Sequence, residues 1–168
     1  MNAVEIEEAI SELCEAKFDS NEFPFQFLAA FGNKETTIRR LKIGNNNRSD
    51  IPNGVLQRNN IHIATCKSGN VYKTLNQLKN SSETQKAKAK FILATDGVDF
   101  QSEDLNSGEI ISCDYRNFSN HFGFFLPLAG ITTIKQIRDN PIDIHATSRL
   151  NRLYIELLKI NPEWATEK

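Results

Sequence analysis

The sequence FILATDGVDFQSEDLNSGEIISCDY, residues 91–115, decides the fold class of this chain. It begins with Phe91 to Thr95, a continuous apolar run of the length typical of a buried central strand. Asp96-Gly97 is a strong hairpin signal, and Asn106 to Glu109 marks a second turn. This stretch therefore predicts three successive antiparallel strands.

Upstream of this stretch, the sequence predicts one more strand-like segment and several helices. Val55 to Lys67 reads VLQRNNIHIATCK and follows a turn signal, Asp50 to Gly54. Within it, Ile61, Ile63 and Thr65 alternate with other residues, which favours a strand. Apolar residues recur at helical spacing in four further segments: Ala3 to Lys17, Glu22 to Phe31, Lys34 to Ile43, and the segment through Val71, Leu75 and Leu78.

Downstream, the segment Phe118 to Ile131 is dense in aromatic residues and is expected to pack across the sheet. Asp143 to Ile160 again has helical spacing. The element order predicts an α/β or α+β domain, with a mixed sheet of about four to six strands flanked by helices.

Composition limits the classes of partner. The 168 residues suit one domain, and 20 Lys and Arg against 21 Asp and Glu give a net charge of −1, so contact with nucleic acid requires a local basic patch. No apolar run approaches the roughly 20 residues of a membrane helix. The acidic, amphipathic start MNAVEIEEAI is unlike a signal peptide, so we expect a cytoplasmic protein without a membrane partner.

The most concentrated basic segment is a candidate for contact with DNA phosphates. Its members are Lys34, Arg39, Arg40, Arg48 and Arg58, together with Lys42. About three phosphate contacts are feasible there. A solvated helix face explains the same pattern equally well.

Candidates for catalysis are sparse. The glycine-rich nucleotide motifs, the G-x-S-x-G elbow and H-E-x-x-H do not occur. His62 and His121 lack metal-site spacing and are expected to be hydrogen-bonded and partly buried. Asp50 with Glu35 offers a carboxylate pair for Mg²⁺, which prefers oxygen ligands, but surface carboxylates are common and a single well-placed one seldom supports hydrolysis.

Segments along nearly the whole chain resemble one enzyme family. They are PFQFLAAFGNKETTIRRLKIG (24–44), GVLQRNNIHIATC (54–66), AKFILATDG (89–97), EDLNSGE (103–109), HFGFFLPLAGI (121–131) and ATSRLNRLYIELLKINPEW (146–164). Together they are similar to the N-terminal domain of MmeI-like class I SAM-dependent DNA methyltransferases, which are large single-chain restriction-modification enzymes of types IIL and IIG.

The resemblance implies a domain organisation. Residues 1–168 form one domain with a PD-(D/E)xK nuclease-like fold, and residues 143–168 are its helical exit toward a spacer. An adenine-N6 methyltransferase domain, which binds S-adenosylmethionine, and a target-recognition domain follow outside this chain. Implied partners are double-stranded DNA and the spacer and methyltransferase domains; we expect no cofactor in this chain itself, unless Mg²⁺ supports nuclease activity.

The nuclease pattern of that family is incomplete here. Asp50 occupies the first acidic position and Lys67 the lysine position, but Thr65 stands where a Glu is expected. The resemblance therefore predicts a noncatalytic module for DNA positioning or domain assembly.

Two alternatives stay open. One is an active Mg²⁺-dependent endonuclease whose second carboxylate comes from Glu35, Asp96 or Asp99. The other is a protein-interaction module that uses the phenylalanine-rich segment Phe118 to Phe125.

Overall fold

The computed structural model describes residues 2–131 and 141–160. In chain order the elements are α1 (Ala3–Glu15), α2 (Phe23–Ala30), α3 (Glu35–Lys42), β1 (Gly54–Leu56), β2 (Ile61–Thr65), α4 (Val71–Asn80), α5 (Ser82–Lys86), β3 (Phe91–Thr95), β4 (Asp99–Asp104), β5 (Ile110–Asp114), a 3-10 segment (Tyr115–Ala129) and α6 (Pro141–Ile160). The α6 helix confirms the predicted helix after residue 143, whereas residues 161–168 of the predicted helical exit lie outside the described residues.

The strands form one five-stranded mixed sheet in the order β1-β2-β3-β4-β5. Strands β2 and β3 are parallel, in a register that runs from Ile61 beside Phe91 to Thr65 beside Thr95. The other three neighbouring pairs are antiparallel. The predicted central strand and the three successive antiparallel strands are confirmed, and so is the mixed sheet flanked by helices.

Local rules account for the helix ends near the N-terminus. At the start of α1, the Asn2 side chain accepts from the Glu5 backbone N–H, and the Glu5 carboxylate accepts from the Asn2 N–H, both at 2.9 Å. Pro24 lies in the first turn of α2, where its missing N–H costs nothing. Gly44, with a φ of 84°, follows α3 in the left-handed conformation that ends helices.

The two faces of the sheet carry cores of unequal size. On one face, α1, α2 and the 3-10 segment bury an aromatic cluster, in which the rings of Phe100 and Phe118 stack with centroids 4.5 Å apart. On the other face, α4 packs Leu75 and Leu78 over Ala64 and neighbouring strand residues. The predicted packing of the aromatic segment across the sheet is confirmed.

The structure differs in two ways from the sequence pattern of the Val55 to Lys67 segment. The segment is not one strand: β1 and β2 form a hairpin, with Asn59 at a φ of 57° in its turn. The alternation in β2 also does not separate a core face from a solvent face. All five residues of β2 are buried because helices cover both sides of the sheet.

Candidate nucleic-acid interface

Asp50, the first acidic position of the nuclease pattern, organises a helix start. It is exposed in the loop before β1, and its Oδ1 accepts a hydrogen bond from the Ser81 hydroxyl at 2.6 Å. The Ser81 oxygen in turn accepts from the backbone N–H groups of Glu83 and Thr84 and so caps α5. Asp50 thereby orients the hydroxyl group that caps α5.

Neither of the other two positions of the pattern supplies a carboxylate. Thr65 is buried, and its hydroxyl donates to the backbone carbonyl oxygen of Ser20 at 2.9 Å. Lys67 follows the end of β2 and is exposed. A hydroxyl committed to a carbonyl does not replace the carboxylate that Mg²⁺ requires.

Asp96 is one candidate for the second carboxylate of an active endonuclease, but its side chain stabilises a turn. Its two carboxylate oxygens accept from the backbone N–H groups of Gly69, Val98 and Asp99 at 2.8–3.0 Å. Burial alone raises the pKa of Asp96, but these hydrogen bonds outweigh burial and lower the pKa below its ordinary value. The carboxylate therefore closes the β3–β4 hairpin.

Asp96 and Asp50 also lie at opposite ends of α4. Asp96 binds Gly69, just before the helix begins, whereas Asp50 binds Ser81, just after it ends. Because α4 has 10 residues, these ends are roughly 15 Å apart. The two carboxylates cannot ligate the same ion.

Glu35 and Asp99, the remaining candidates, are exposed. Across the described residues, no three His, Cys, Asp or Glu side chains form a group that could hold a metal ion. Of the three positions of the nuclease pattern, Asp50 alone supplies a carboxylate.

The polar loop, residues 45–53, precedes β1, and His62 joins this loop to α5 through hydrogen bonds made within the sheet. His62 is fully buried, its Nδ1 lies 2.7 Å from the Thr84 hydroxyl oxygen, and its Nε2 lies 2.7 Å from the Ser49 hydroxyl oxygen. The expected hydrogen-bonded histidine is confirmed, and it is more deeply buried than its strand pattern indicated. The companion expectation for His121 is wrong, because its side chain is exposed at the surface of the 3-10 segment.

The tautomer of His62 follows from its neighbours. The Thr84 hydroxyl donates to the Leu78 carbonyl oxygen at 2.7 Å, so it must accept from His62 Nδ1. Burial lowers the pKa of His62 to about 4, against the opposing effect of the Asp50 charge, so the ring is neutral near pH 7. The unprotonated Nε2 of His62 accepts a hydrogen bond from the Ser49 hydroxyl, and this bond holds the polar loop against β2.

The hydrogen bond between Ser49 and His62 depends on the close approach of the Gly54 backbone to the Ser49 side chain. Gly54 packs directly on the Ser49 hydroxyl, and a Cβ at residue 54 would also lie 2.8 Å from the Ile51 carbonyl oxygen. A side chain at this position would push Ser49 away from His62.

Beside this network lies a cleft of about 510 Å³ between α3, the polar loop, the β1–β2 turn and α5. We call it the basic cleft. Its lining residues are Thr37, Leu41, Asn45, Asn46, Arg48, Leu56, Gln57, Arg58, Glu83, Lys86 and Ala87.

The basic cleft brings together only some of the predicted DNA-contact residues. Arg48 and Arg58 line it, whereas Arg39 and Arg40 on α3, and Lys34 just before α3, are exposed outside the lining. Sequence reasoning missed Lys86 in this role. Its charge is visible in the lysine-rich stretch after α4, but only the tertiary fold places α5 beside the hairpin turn.

Ion pairs distinguish these cations further. Lys86 pairs with Glu83 at 2.6 Å, and Lys42 pairs with Glu22 at 2.6 Å while lying over the Phe25 ring. For residues 2–131 and 141–160, no ion pair is found for either arginine of the cleft. The guanidinium charges therefore dominate the cleft.

The phenylalanine-rich segment does not form a docking surface. Phe118, Phe122, Phe124 and Phe125 are all buried against the sheet. This burial counts against the interaction-module alternative. Separately, every helix in the described part of the chain is too short or too polar to cross a lipid bilayer.

Comparison with known proteins defines the family. Residues 1–160 match the family model described as "MmeI, N-terminal domain", and the chain belongs to that family. It is similar to DNA methyltransferase A of Bacillus subtilis (strain 168), with 28% identity over 161 residues that cover 96% of this chain. The chain spans 18% of the length of that relative. No solved structure matches it significantly.

Proposed function

We propose that this chain is a noncatalytic N-terminal module that positions duplex DNA for a DNA methyltransferase-type enzyme, on a degenerate PD-(D/E)xK-like fold. The proposal rests mainly on Thr65, whose buried hydroxyl is bonded to Ser20 where the nuclease pattern requires a carboxylate. Asp50 is likewise engaged by Ser81. Family membership and the basic cleft support a role beside DNA.

Methylation in this proposal belongs to other parts of a parent enzyme. The relative named DNA methyltransferase A is more than five times the aligned length, since the chain covers 18% of it. The S-adenosylmethionine site and the adenine-N6 chemistry would lie in that remainder. Residues 1–168 would act as one domain that presents DNA to it.

Helix α6 supports an assembly role at the same time. Its described side chains include large apolar groups that are about half exposed or more: Leu150, Leu153, Tyr154, Ile155 and Ile160. Exposed apolar residues in such number on one helix mark a contact surface. We propose that the polypeptide after this domain in the parent enzyme covers them.

A nicking assay tests the noncatalytic role. The purified chain is incubated with supercoiled DNA and Mg²⁺ or Mn²⁺, and we expect no nicked product, because the acidic positions are not gathered around one ion. Asp50→Asn is the matched variant, since its amide oxygen still accepts from Ser81 while the charge is lost. Metal-dependent nicking by the wild type that disappears in Asp50→Asn would contradict the proposal.

A binding assay tests the DNA-positioning role separately. The chain should shift the fluorescence anisotropy of an end-labelled duplex without added divalent metal, and the affinity should fall as salt rises, because phosphate contacts release counterions. A folded chain that leaves the anisotropy unchanged at low salt would overturn DNA positioning.

A further inference from the structure

We propose that the basic cleft holds the sugar–phosphate backbone of one DNA strand, with Arg48, Arg58 and Lys86 as the phosphate contacts. This inference rests on the proposed function and narrows it. DNA affinity is assigned to the cleft residues, and the α3 cations outside the cleft are solvated surface.

The side chains that line the cleft suit a sugar–phosphate backbone better than they suit stacked bases. Among the described residues that line it, none is aromatic, so the cleft offers no platform for base stacking. It offers instead two guanidinium groups and the amides of Asn45 and Asn46. Arginine binds phosphate oxygens through paired N–H groups, and amides donate to the same oxygens.

Charge in the cleft favours an anion. Among the described lining residues one is acidic, Glu83, and it is already paired with Lys86 at 2.6 Å. Lys86 is exposed and Glu83 is partly exposed, so the pair contributes little to stability and can open when a phosphate competes for the ammonium group. The two arginines then leave an excess of positive charge in a chain whose net charge is −1.

The backbone that carries Arg48 is held in place by its neighbour. The Asn47 side chain donates to the Gly54 carbonyl oxygen at 2.9 Å and accepts from the Leu56 N–H at 3.0 Å and the Ser49 N–H at 3.1 Å. The loop is thereby attached to β1 directly beside Arg48. Because the loop backbone is already fixed, less conformational entropy is lost when Arg48 binds a phosphate.

The backbone that carries Arg58 is held by a chain of amides. Gln57 donates to Asn33 at 2.5 Å and accepts from Asn60 at 2.5 Å, and the Asn59 backbone N–H donates to the Ala87 carbonyl oxygen at 2.8 Å. The last bond ties the hairpin turn to the end of α5. Both arginines of the cleft therefore extend from backbone whose neighbouring residues are hydrogen-bonded.

Helix α3 supplies the contrast. Thr37 and Leu41, one turn apart, face the cleft, while Arg39 and Arg40 are outside its lining. The α3 arginines carry the same charge, are also exposed, and lie near Arg48 in sequence. They form a matched control pair.

The experiment measures anisotropy of an end-labelled, mixed-sequence duplex between about 50 and about 200 mM salt. We expect Arg48→Gln/Arg58→Gln to weaken binding by about tenfold at the lowest salt and to reduce the slope of log affinity against log salt by about 2. Arg39→Gln/Arg40→Gln should change affinity by less than about twofold. Lys86→Gln alone should reduce the slope by about 1.

The outcomes separate this inference from the proposed function. An equal loss in both double variants, or a loss confined to Arg39→Gln/Arg40→Gln, overturns the cleft assignment while DNA positioning stands. A wild-type chain that does not bind DNA overturns both. Thermal unfolding checks that each variant is folded, and Lys86→Gln, which leaves the loop and hairpin intact, decides the result if the arginine pair unfolds.

A competition arm distinguishes DNA backbone from a small anion. Inorganic phosphate is added at constant ionic strength, and we expect it to displace the duplex no more than chloride does. Selective displacement by phosphate, absent in Arg48→Gln/Arg58→Gln, would show a small-anion site and would overturn the DNA assignment.

Discussion

At the scale of single residues, His62 makes folding depend on pH. Burial lowers its pKa from 6.5 to about 4. Between these two values the unfolded chain binds a proton that the folded chain excludes, so stability is full above about pH 6.5 and falls as the pH drops toward 4. A shift of this size corresponds to roughly 3 kcal/mol of unfolding free energy. Urea unfolding across this pH range measures the loss.

Two histidine variants isolate this effect from the protonation of carboxylates. His62→Gln removes the titrating ring and should flatten the pH dependence of unfolding between about pH 6.5 and 4, although it lowers stability at neutral pH by breaking contacts to Ser49 and Thr84. His121→Gln is the control, because His121 is exposed. A His62→Gln protein that retains the wild-type pH dependence would show that another group is responsible.

At the scale of elements, strand β1 depends on the Asn47 side chain. Three hydrogen bonds connect this amide to Ser49, Gly54 and Leu56, so Asn47 pairs with β1 as an additional strand residue would. We expect Asn47→Ala to lower the unfolding free energy by about 2 kcal/mol. Asn46→Ala, the exposed neighbour, should be neutral. Equal effects of the two substitutions in denaturant titrations would contradict this role.

Elements defined by local chemistry were predictable from sequence, and those defined by tertiary contacts were not. Helical spacing of apolar residues predicted α1, α2 and α3, and short-range rules for Asn2, Pro24 and Gly44 explain where these helices begin or end. Strand β1 has three residues and no periodicity to detect. The burial of His62 depends on α4 and α5 covering the second face of the sheet, which the alternation in β2 cannot report.

At the scale of the whole molecule, the candidate site was only partly predictable for the same reason. Local charge density identified Arg48 and Arg58 but gave equal weight to Arg39 and Arg40, because sequence alone does not say which helix face borders a cleft. Lys86 joins them only when the crossover from β2 to β3 places α5 beside the hairpin turn. Carboxylates scattered along the sequence likewise gave no indication that Asp50 and Asp96 lie at opposite ends of α4.

The molecule also separates the proposed DNA contact from the proposed docking helix, which leads to a prediction about a shortened chain. Helix α6 packs against α1 and the 3-10 segment, whereas α3, the polar loop, the β1–β2 turn and α5 build the basic cleft. A chain of residues 1–131 should therefore keep the five-stranded sheet and bind duplex DNA within about twofold of the full chain.

The shortened chain should nevertheless unfold at a lower temperature, because α1 loses a packing partner. Near-ultraviolet circular dichroism and thermal unfolding report the fold, and anisotropy reports DNA binding. If the shortened chain remained folded but no longer bound DNA, the DNA contact would be assigned to the removed segment rather than to the basic cleft. Retained binding with a lower unfolding temperature is expected, since the cleft elements are anchored to the sheet through Asp50, Ser81 and His62 rather than through α6.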